Sequence, residues 1–383
     1  MKFLPRLLLL AASVVIPSYL PALWCGRDAD AWLADESPVQ ERLAEELIAF
    51  EASDDQVRGS SASPNTSKNR FAGEWALVTH QMTALGLAQL CLAHPSYKAR
   101  YVPVISAAAA KSFLPEMRDF GTEAWNGEDA LASLEGSHGH AYLSYAALAV
   151  GMARLLDPAF PKDIAGKHDA LIAAYERRLL VSPMGLIETY PGEAYPTDVA
   201  AVAAAIAVHG RVTGVDHHAV LAHWAKMVRE KQIDKASGLV IQRMGATDGR
   251  PHDAPRGSGT GLAAYFAGFA DRKVAELLTD GLLRQEATFL GFGAIREYAP
   301  GHKGEGDIDS GPVVLGVSVS ATGFALAPLR AYGHPDSFRR IYRTTELFGV
   351  RVGGSERTRF ATGGPIGNAL LLAFLTSGPE VLR

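Results

Sequence analysis

Carboxylates stand in the glycine- and proline-rich segments of this sequence, where they could act as a catalytic acid and base. Glu188 and Asp198 lie in "GLIETYPGEAYPTD", and Asp307 and Asp309 lie in "GEGDIDSGP". Paired carboxylates can supply the general acid and the general base that cleave a glycosidic bond. The sequence therefore predicts catalytic roles for Asp307, Asp198, Glu188 and Asp309.

Aromatic and polar side chains in the same segments could bind a substrate, because flat rings stack on sugars and polar groups orient hydroxyls. The predicted substrate-binding residues are Tyr190, Tyr195, Trp125, His140, Arg256, Glu297 and Tyr298. An earlier segment adds Arg70, Glu74 and Trp75 as further candidates. The same side-chain types could instead protonate an alcohol and remove a proton in an apolar pocket. These residues alone leave both reaction classes open.

Part of the "DSGP" segment also has a purely structural explanation. Ser310 is a residue type that caps helices, Asp309 would interact well with a helix dipole, and Pro312 suits a first helical turn. Asp307 lies outside this cap, in a glycine-rich stretch whose backbone can approach a ligand closely. Asp307 is therefore the stronger catalytic candidate of the two aspartates.

Metal and phosphate sites find little support in the motifs. His138 and His140 flank one glycine, but no third ligand follows at a convincing spacing, so we expect no metal and no cofactor. The "RGSGTG" segment at 256–261 looks like a phosphate cradle, yet no strand precedes it in a βαβ unit. Anion binding by Arg256 at a helix start stays an alternative.

Charge and cysteine content exclude several classes of protein. The 383 residues carry a net charge of −4, and their lysines and arginines form no basic block, so nucleic acid is not an expected partner. Two cysteines cannot build a disulfide framework or a thiolate metal site. The expected partner is a small-molecule or oligosaccharide substrate.

The first 27 residues differ from the rest of the chain. Two basic residues precede an apolar run that ends at Ile16, is short for a membrane span and is interrupted by Pro17. This pattern is typical of a secretory signal or an uncleaved anchor. We expect an exported protein, periplasmic, secreted or anchored at the outer face, that meets the membrane only through residues 1–27. A lipid-modified Cys25 and a hydrophobic core segment are the alternatives.

Two kinds of helical segment alternate along residues 28–383. Segments with one charged face are predicted at 41–53, 97–117, 168–180, 216–231, 271–286 and 334–349. Segments that are apolar nearly all round are predicted at 74–93, 140–156, 198–210, 259–270, 312–329 and 365–375. A helix without a polar face must be buried on all sides. Six buried helices inside six amphipathic ones predict an all-α fold, an (α/α)6 toroid of helical hairpins in one domain.

The connections between these segments are asymmetric. The connection from a buried segment to the next amphipathic segment is short. The connection from an amphipathic segment to the next buried one is a long loop, and together these long loops contain most of the candidate residues. Long loops without structure of their own tend to be functional. Short β-like pieces at 185–190, 238–244 and 293–298 predict small hairpins there. In a toroid these loops would share one mouth, which would carry the site.

The chain resembles the bacterial α/α-toroid proteins. The resemblance rests on the helix alternation and on "GEW", "YPGEAYPTDVAA" and "GDIDSGPVVLGVSVSATGF", which open predicted buried helices, and it covers nearly the whole chain after Ser37. Similarity to six-hairpin glycosidases would imply two carboxylates at the loop-bearing mouth. Similarity to linalool dehydratase/isomerase-like proteins would imply a pocket with cysteines, a histidine, an aspartate and tyrosines, but the third long loop here contains no cysteine.

The leading hypothesis from the sequence is an exported, carbohydrate-active hydrolase. A lyase or isomerase acting on a small apolar alcohol is the alternative, and it predicts a closed, mainly apolar cavity instead of an open polar groove. A non-catalytic envelope protein that binds a glycan or a partner is the third possibility.

Overall fold

The fold of the described residues is predominantly helical, as the sequence predicts. The computed structural model describes residues 17–53, 66–307 and 310–382. The helices are α1 (Leu20–Cys25), α2 (Ala29–Leu33), α3 (Pro38–Ala52), α4 (Thr66–Ala93), α5 (Lys98–Lys111), α6 (Pro115–Ala124), α7 (Ser144–Leu156), α8 (Lys162–Val181), α9 (Pro196–Thr213), α10 (His218–Met227), α11 (Gly257–Ala270), α12 (Arg272–Arg284), α13 (Val319–Phe324), α14 (Leu326–Ala331), α15 (Pro335–Gly349), α16 (Gly364–Thr376) and α17 (Pro379–Leu382).

Three short antiparallel hairpins supplement the helices in the described part of the chain. They pair β1 (Glu286–Phe289) with β2 (Phe292–Ile295), β3 (Val313–Val314) with β4 (Val317–Ser318), and β5 (Arg351–Gly353) with β6 (Thr358–Phe360). Each hairpin lies in a segment that connects an amphipathic helix to the next buried one. Residues 293–295 of the predicted piece at 293–298 lie in β2, whereas 185–190 and 238–244 form isolated bridges and no strand.

The apolar helices are buried, as their lack of a polar face requires. Helix α9 is buried from Pro196 through Ile206, and α7 is buried from Ser144 through Ala153. Small residues allow close packing, since a β-carbon on Gly86 of α4 would lie 2.8 Å from the side chain of Leu372 in α16. The sequence pattern thus identifies these core helices correctly, but the first part of the fifth predicted segment is not buried, and its Leu315 is 97% exposed.

The buried helices contact one another in chain order, and the last contacts the first. Helix α4 packs on α7, α7 on α9, α9 on α11, α11 on α13 and α14, these on α16, and α16 on α4. The amphipathic helices α3, α5, α8, α10, α12 and α15 each pack against buried helices. The order of contacts among the core helices therefore returns to its start.

The predicted start of the fifth buried helix is wrong. Residues 313–318 form the β3–β4 hairpin, and the helix begins at Val319, where the Ser318 hydroxyl caps it by accepting the Ala321 N–H at 2.9 Å. Neither Ser310 nor Pro312 opens a helix. Three valines flank a two-residue turn at Leu315 and Gly316, both with positive φ, and β-branched residues around such a turn favour a hairpin.

Residues 20–33, which include the end of the predicted leader at residues 1–27, belong to the folded unit. Trp32 in α2 is fully buried, and its indole N–H donates to the Tyr342 hydroxyl at 3.2 Å. The Arg330 guanidinium donates to the Trp32 carbonyl at 3.0 Å. Helix α1 packs on α15 and buries Ala22. A chain that began at Ser37 would therefore lose part of the core.

One helix of the described residues is long and apolar enough to cross a membrane, Arg70–Ala93. Because 78% of its apolar window is buried inside the protein, its composition is that of a core helix.

Candidate active site

A cavity of about 260 Å³ lies where the buried helices begin. Its wall includes residues from the first turns of α7, α9, α11, α13 and α16 and from the N-terminal half of α4. The long loops of the sequence lead into these same helix ends. The loops and the cavity therefore occupy the same end of the helical core.

Asp198, at the third position of α9, is the predicted catalytic residue that lines this cavity most directly. The Tyr145 hydroxyl donates to its Oδ1 at 2.6 Å, and the Thr189 hydroxyl donates to its Oδ2 at 2.7 Å. Burial raises the pKa of the Asp198 carboxyl above its ordinary value, although both hydrogen bonds and the positive charge of Arg70 oppose this effect. A carboxyl in this environment can hold a proton and deliver it to a bound molecule.

Arg70 links two predicted binding residues at the cavity wall. Its guanidinium carbon lies 3.4 Å from the centre of the Tyr190 ring, and its Nη2 donates to the Glu193 carboxylate at 3.2 Å. The Tyr195 hydroxyl donates to the same carboxylate oxygen at 2.9 Å. The charge of Glu193 is therefore matched by Arg70, and both tyrosine rings are held at the cavity.

The remaining wall of the cavity is mainly apolar. Phe266 and Phe324 are joined there by Trp75, which is 37% exposed, so this side of the cavity lies near solvent. Among the described residues that line the cavity, the carboxylates are Glu74 and Asp198. The site therefore combines a buried acid, a second carboxylate and several aromatic faces.

Asp307 lies outside this cavity wall, in a separate cluster at the start of α11. It is paired with Arg256, and its Oδ1 accepts the Ser310 N–H at 2.9 Å. Arg256 is largely buried and also donates to Asp253 at 2.6 Å. Partial burial works to raise the pKa of Asp307, but the Ser310 hydrogen bond and the charge of Arg256 outweigh it and lower that pKa. Asp307 is therefore ionised at neutral pH and held in an ion pair with Arg256.

Glu297 and Tyr298 belong to the same cluster. Glu297 is fully buried and accepts hydrogen bonds from the hydroxyl of Ser258 at 2.6 Å and from its backbone N–H at 3.3 Å. Burial raises the pKa of Glu297 against these hydrogen bonds. The Arg256 guanidinium carbon lies 5.5 Å from the Tyr298 ring centre. Glu297 thus accepts the hydrogen bonds of Ser258 in the first turn of α11. Ser258 lines the cavity, whereas Glu297 does not.

Trp125 and His140 form a third cluster, together with His138 and Glu128. The Glu128 carboxylate lies 2.8 Å from His140 Nε2 and 2.8 Å from His138 Nδ1. The Trp125 ring packs against both imidazoles, and its indole N–H donates to the Thr189 carbonyl at 3.0 Å. This cluster therefore reaches the cavity only indirectly, since Thr189 in turn holds Asp198.

The two other predicted catalytic residues have different outcomes. Glu188 is half-buried and outside the cavity wall, and its carbonyl accepts the Ala141 N–H at 3.0 Å, which joins two of the long loops. Asp309 lies outside the described residues, so the prediction for it stays a prediction.

Tyr145 and Thr189 hold the candidate acid Asp198, and the sequence interpretation does not identify them. Tyr145 is the second residue of a helix whose composition is that of buried core. Thr189 lies between the predicted site residues Glu188 and Tyr190. Tyr145 lies near the long-loop end of its helix, and that position was the available signal. Arg70, Glu74 and Trp75 were named from the sequence, and the cavity brings them together with Asp198.

No protein-family model matches this sequence, and a search of curated proteins finds no matching relative. The geometry of the site is therefore the basis on which a function can be assigned.

Proposed function

We propose that this protein is an enzyme that uses Asp198 for acid–base chemistry on a small, largely apolar substrate with a hydroxyl group, as a lyase or isomerase. The observation that carries the proposal is the buried carboxyl of Asp198 in a mainly apolar cavity of about 260 Å³. An apolar surrounding disfavours the ionised form of the acid and strengthens its interaction with a developing charge.

We further propose that the buried helices form the inner ring of an (α/α)6 toroid. Support comes from the succession of contacts among the buried helices, which ends with α16 packed on α4, and from the amphipathic helices that pack against them. In such a ring the helix ends that line the cavity would form the floor of one mouth. This placement explains why one cavity draws residues from so many segments of the chain.

The proposed reaction needs one group that changes its protonation state. The proton of Asp198 passes to the substrate hydroxyl, the carbon–oxygen bond breaks, and water leaves. The carbon next to the cationic centre then gives up a proton to the Asp198 carboxylate, which restores the acid, and a double bond forms. The Tyr145 and Thr189 hydroxyls stabilise the carboxylate form of Asp198. The faces of nearby aromatic rings such as Trp75 and Phe266 can stabilise positive charge on the substrate.

The size of the cavity favours a small substrate over an oligosaccharide. Pockets for drug-sized ligands measure about 300–1,000 Å³, and this cavity lies just below that range. Asp307, the strongest glycosidase candidate from the sequence, is paired with Arg256 outside the cavity wall. An inverting or retaining pair that includes Asp307 therefore has less support than the chemistry of Asp198.

A hydrolase that acts on a small glycoside is the second candidate. Its support is specific, since Glu74 and Asp198 both line the cavity and Trp75 and Tyr195 offer aromatic faces for a sugar ring. In this version Asp198 would protonate the leaving oxygen, and Glu74 would act as base or nucleophile.

A substrate screen with the purified full-length chain tests both candidates. The panel would contain tertiary and allylic alcohols, including terpene alcohols, beside small glycosides, with products identified by mass spectrometry. We expect loss of water from an alcohol, abolished by Asp198→Asn and retained by Asp307→Asn. Cleavage of a glycoside that also requires Asp198 would favour the second candidate. Turnover that survives Asp198→Asn would contradict both.

We also propose that the protein is exported. The support is the sequence of residues 1–16, in which two basic residues precede an apolar run. Cell fractionation of the tagged full-length chain tests this proposal, and recovery of the chain in the cytoplasmic fraction alone would contradict it.

A further inference from the structure

The cluster formed by Glu128, His138 and His140 has the composition of a transition-metal site. One ring nitrogen of each histidine and an oxygen of Glu128 all lie within 4.8 Å of one another. Two imidazoles and one carboxylate form a donor set that suits Zn²⁺ and similar divalent ions, whereas Ca²⁺ and Mg²⁺ prefer oxygen ligands alone. From the sequence no third ligand was evident, and the fold supplies it from ten residues before His138.

The distances from Glu128 to the two histidines fit a metal after a small expansion. Ligands about 2.1 Å from a tetrahedral ion lie about 3.4 Å from each other. Here the Glu128 oxygens lie 2.8 Å from His140 Nε2 and 2.8–2.9 Å from His138 Nδ1. A movement of a few tenths of an ångström per side chain would admit the ion. Three protein ligands would leave a fourth position for water.

The two imidazoles are held in place by their surroundings. The Trp125 ring stacks on His138 with centres 5.0 Å apart and lies 4.4 Å from the centre of the His140 ring. His140 is fully buried and has a left-handed backbone with φ of 48°, a conformation that is rare outside glycine and asparagine. The Tyr175 hydroxyl fixes this backbone by donating to the His140 carbonyl at 3.0 Å.

The loop that carries Glu128, His138 and His140 is held by hydrogen bonds from Arg178. The Arg178 guanidinium donates to the carbonyls of Ser133, Gly136 and Gly139 at 2.9–3.2 Å. A β-carbon on Gly139 would collide with the backbone of Glu188, so this position requires glycine for a close approach. The scaffold is thus rigid, while His138 (51% exposed) and Glu128 (32% exposed) leave a path for an ion.

We propose that Glu128, His138 and His140 bind one divalent transition-metal ion, with Zn²⁺ as the reference ion. The ion would fasten the 125–140 loop, whose Trp125 donates to the Thr189 carbonyl at 3.0 Å. Thr189 holds Asp198, so the ion would stabilise the wall behind the cavity. This inference does not depend on the reaction proposed above.

Metal binding is tested on the full-length, untagged chain after treatment with a chelator. Titration with Zn²⁺ against a chromophoric competitor is expected to show one tight site per chain. Glu128→Gln and His138→Ala should each weaken this site at least about 100-fold, because even the loss of a residue that only supports a ligand costs about 10–100-fold. His218→Ala removes an exposed histidine outside the cluster and should leave the affinity unchanged.

Two results would overturn the proposal. One is Zn²⁺ binding by the unmodified chain that is no tighter than binding by His138→Ala, which would show a cluster held by hydrogen bonds alone. The other needs no variant: Co²⁺ added to the metal-free chain should develop the visible absorption of a tetrahedral ion, and the spectrum of free aqueous Co²⁺ would contradict the site. Circular dichroism of each metal-free variant confirms that the fold is retained.

Discussion

Asp198 and Asp307 are both predicted catalytic residues, and their surroundings differ. Asp198 lies in the first turn of the buried helix α9, and Asp307 lies in a long loop. Asp198 is held by two neutral hydroxyls in a mainly apolar cavity, and burial raises its pKa. Asp307 is held by the Arg256 cation and the Ser310 N–H, and its pKa is lowered. Complete burial among neutral donors raises one pKa, whereas a backbone N–H and a cationic partner outweigh partial burial and lower the other.

The largest expected effect is on catalysis. With a substrate from the screen, Asp198→Asn should lower kcat/KM about 1,000-fold, because general acid–base catalysis contributes about 10²–10⁴. Asp307→Asn should change kcat/KM less than about threefold, since Asp307 lies outside the cavity wall. Steady-state kinetics of the two variants measures both. Equal losses in the two variants would remove the distinction drawn between these residues.

A smaller effect is expected when one donor to Asp198 is removed. Tyr145→Phe should lower kcat/KM about tenfold. This loss corresponds to about 1.4 kcal/mol, close to the lower end of what a hydrogen bond to a charged group contributes. Because this hydrogen bond favours the carboxylate form, its loss should raise the pKa of Asp198 further. The limb of the pH profile of kcat/KM that reports Asp198 should then move to higher pH.

Tyr97→Phe is the matched control for that substitution, since Tyr97 stacks on Tyr101 among the residues around α5, away from the cavity. Its pH profile should coincide with that of the unmodified chain. A limb that stays in place in Tyr145→Phe, or moves to lower pH, would show that Tyr145 does not act through Asp198.

The two aspartates should also affect stability in opposite directions. Asp307→Asn should lower the free energy of unfolding at pH 7 by about 0.5–1 kcal/mol, a modest loss because Asp307 is 37% exposed and solvent screens the ion pair. Asp198→Asn should leave that free energy unchanged or raise it, since burial disfavours the ionised form. Urea denaturation of both variants tests this, and destabilisation by Asp198→Asn larger than that by Asp307→Asn would contradict it.

The pH dependence of these stability differences is the smallest effect and the sharpest comparison. The pKa of Asp198 is raised on folding, so its unfavourable contribution is present at neutral pH and disappears as the pH falls toward about 3.9, the pKa of an unfolded aspartate. The difference between the unmodified chain and Asp198→Asn should therefore shrink from pH 7 to pH 4.

The contribution of Asp307 should behave differently over the same range. Its pKa is lowered on folding, so its stabilising contribution is complete above the unfolded value and is lost only as the pH falls through the lowered folded pKa. The difference for Asp307→Asn should stay constant from pH 7 to about pH 5. Groups common to all variants cancel in these differences, including the buried His168, whose pKa burial lowers to about 3.

The helical core could be predicted from the sequence because burial leaves a direct trace in composition. Helix α9 contains almost no polar residue over its buried length, which predicts a buried helix. Helix α15 carries its charges on one side, which predicts a helix at the surface. The β3–β4 hairpin was missed because its valines read equally well as the first turn of a buried helix. The Leu–Gly turn at 315–316, where both residues have positive φ, is the structural feature that separates the two.

The candidate site was only partly predictable, because its chemistry depends on partners that are distant along the chain. Asp198 could be named from its loop, but Tyr145 lies 53 residues before it. The pairing of Asp307 with Arg256 spans 51 residues, and no spacing rule joins them. Glu128 stands ten residues before His138, and the turn that brings it back to both histidines is not encoded in a motif.

By itself the sequence determined the class of fold, the identity of the buried helices and the loops that hold reactive side chains, because these follow from local periodicity and composition. The tertiary structure alone decided which carboxylate is buried among neutral donors, which is paired with a cation, and which residue completes the histidine cluster. The physical reason is that a pKa and a ligand set are properties of the space around a group, and that space is built by residues that are remote in the chain.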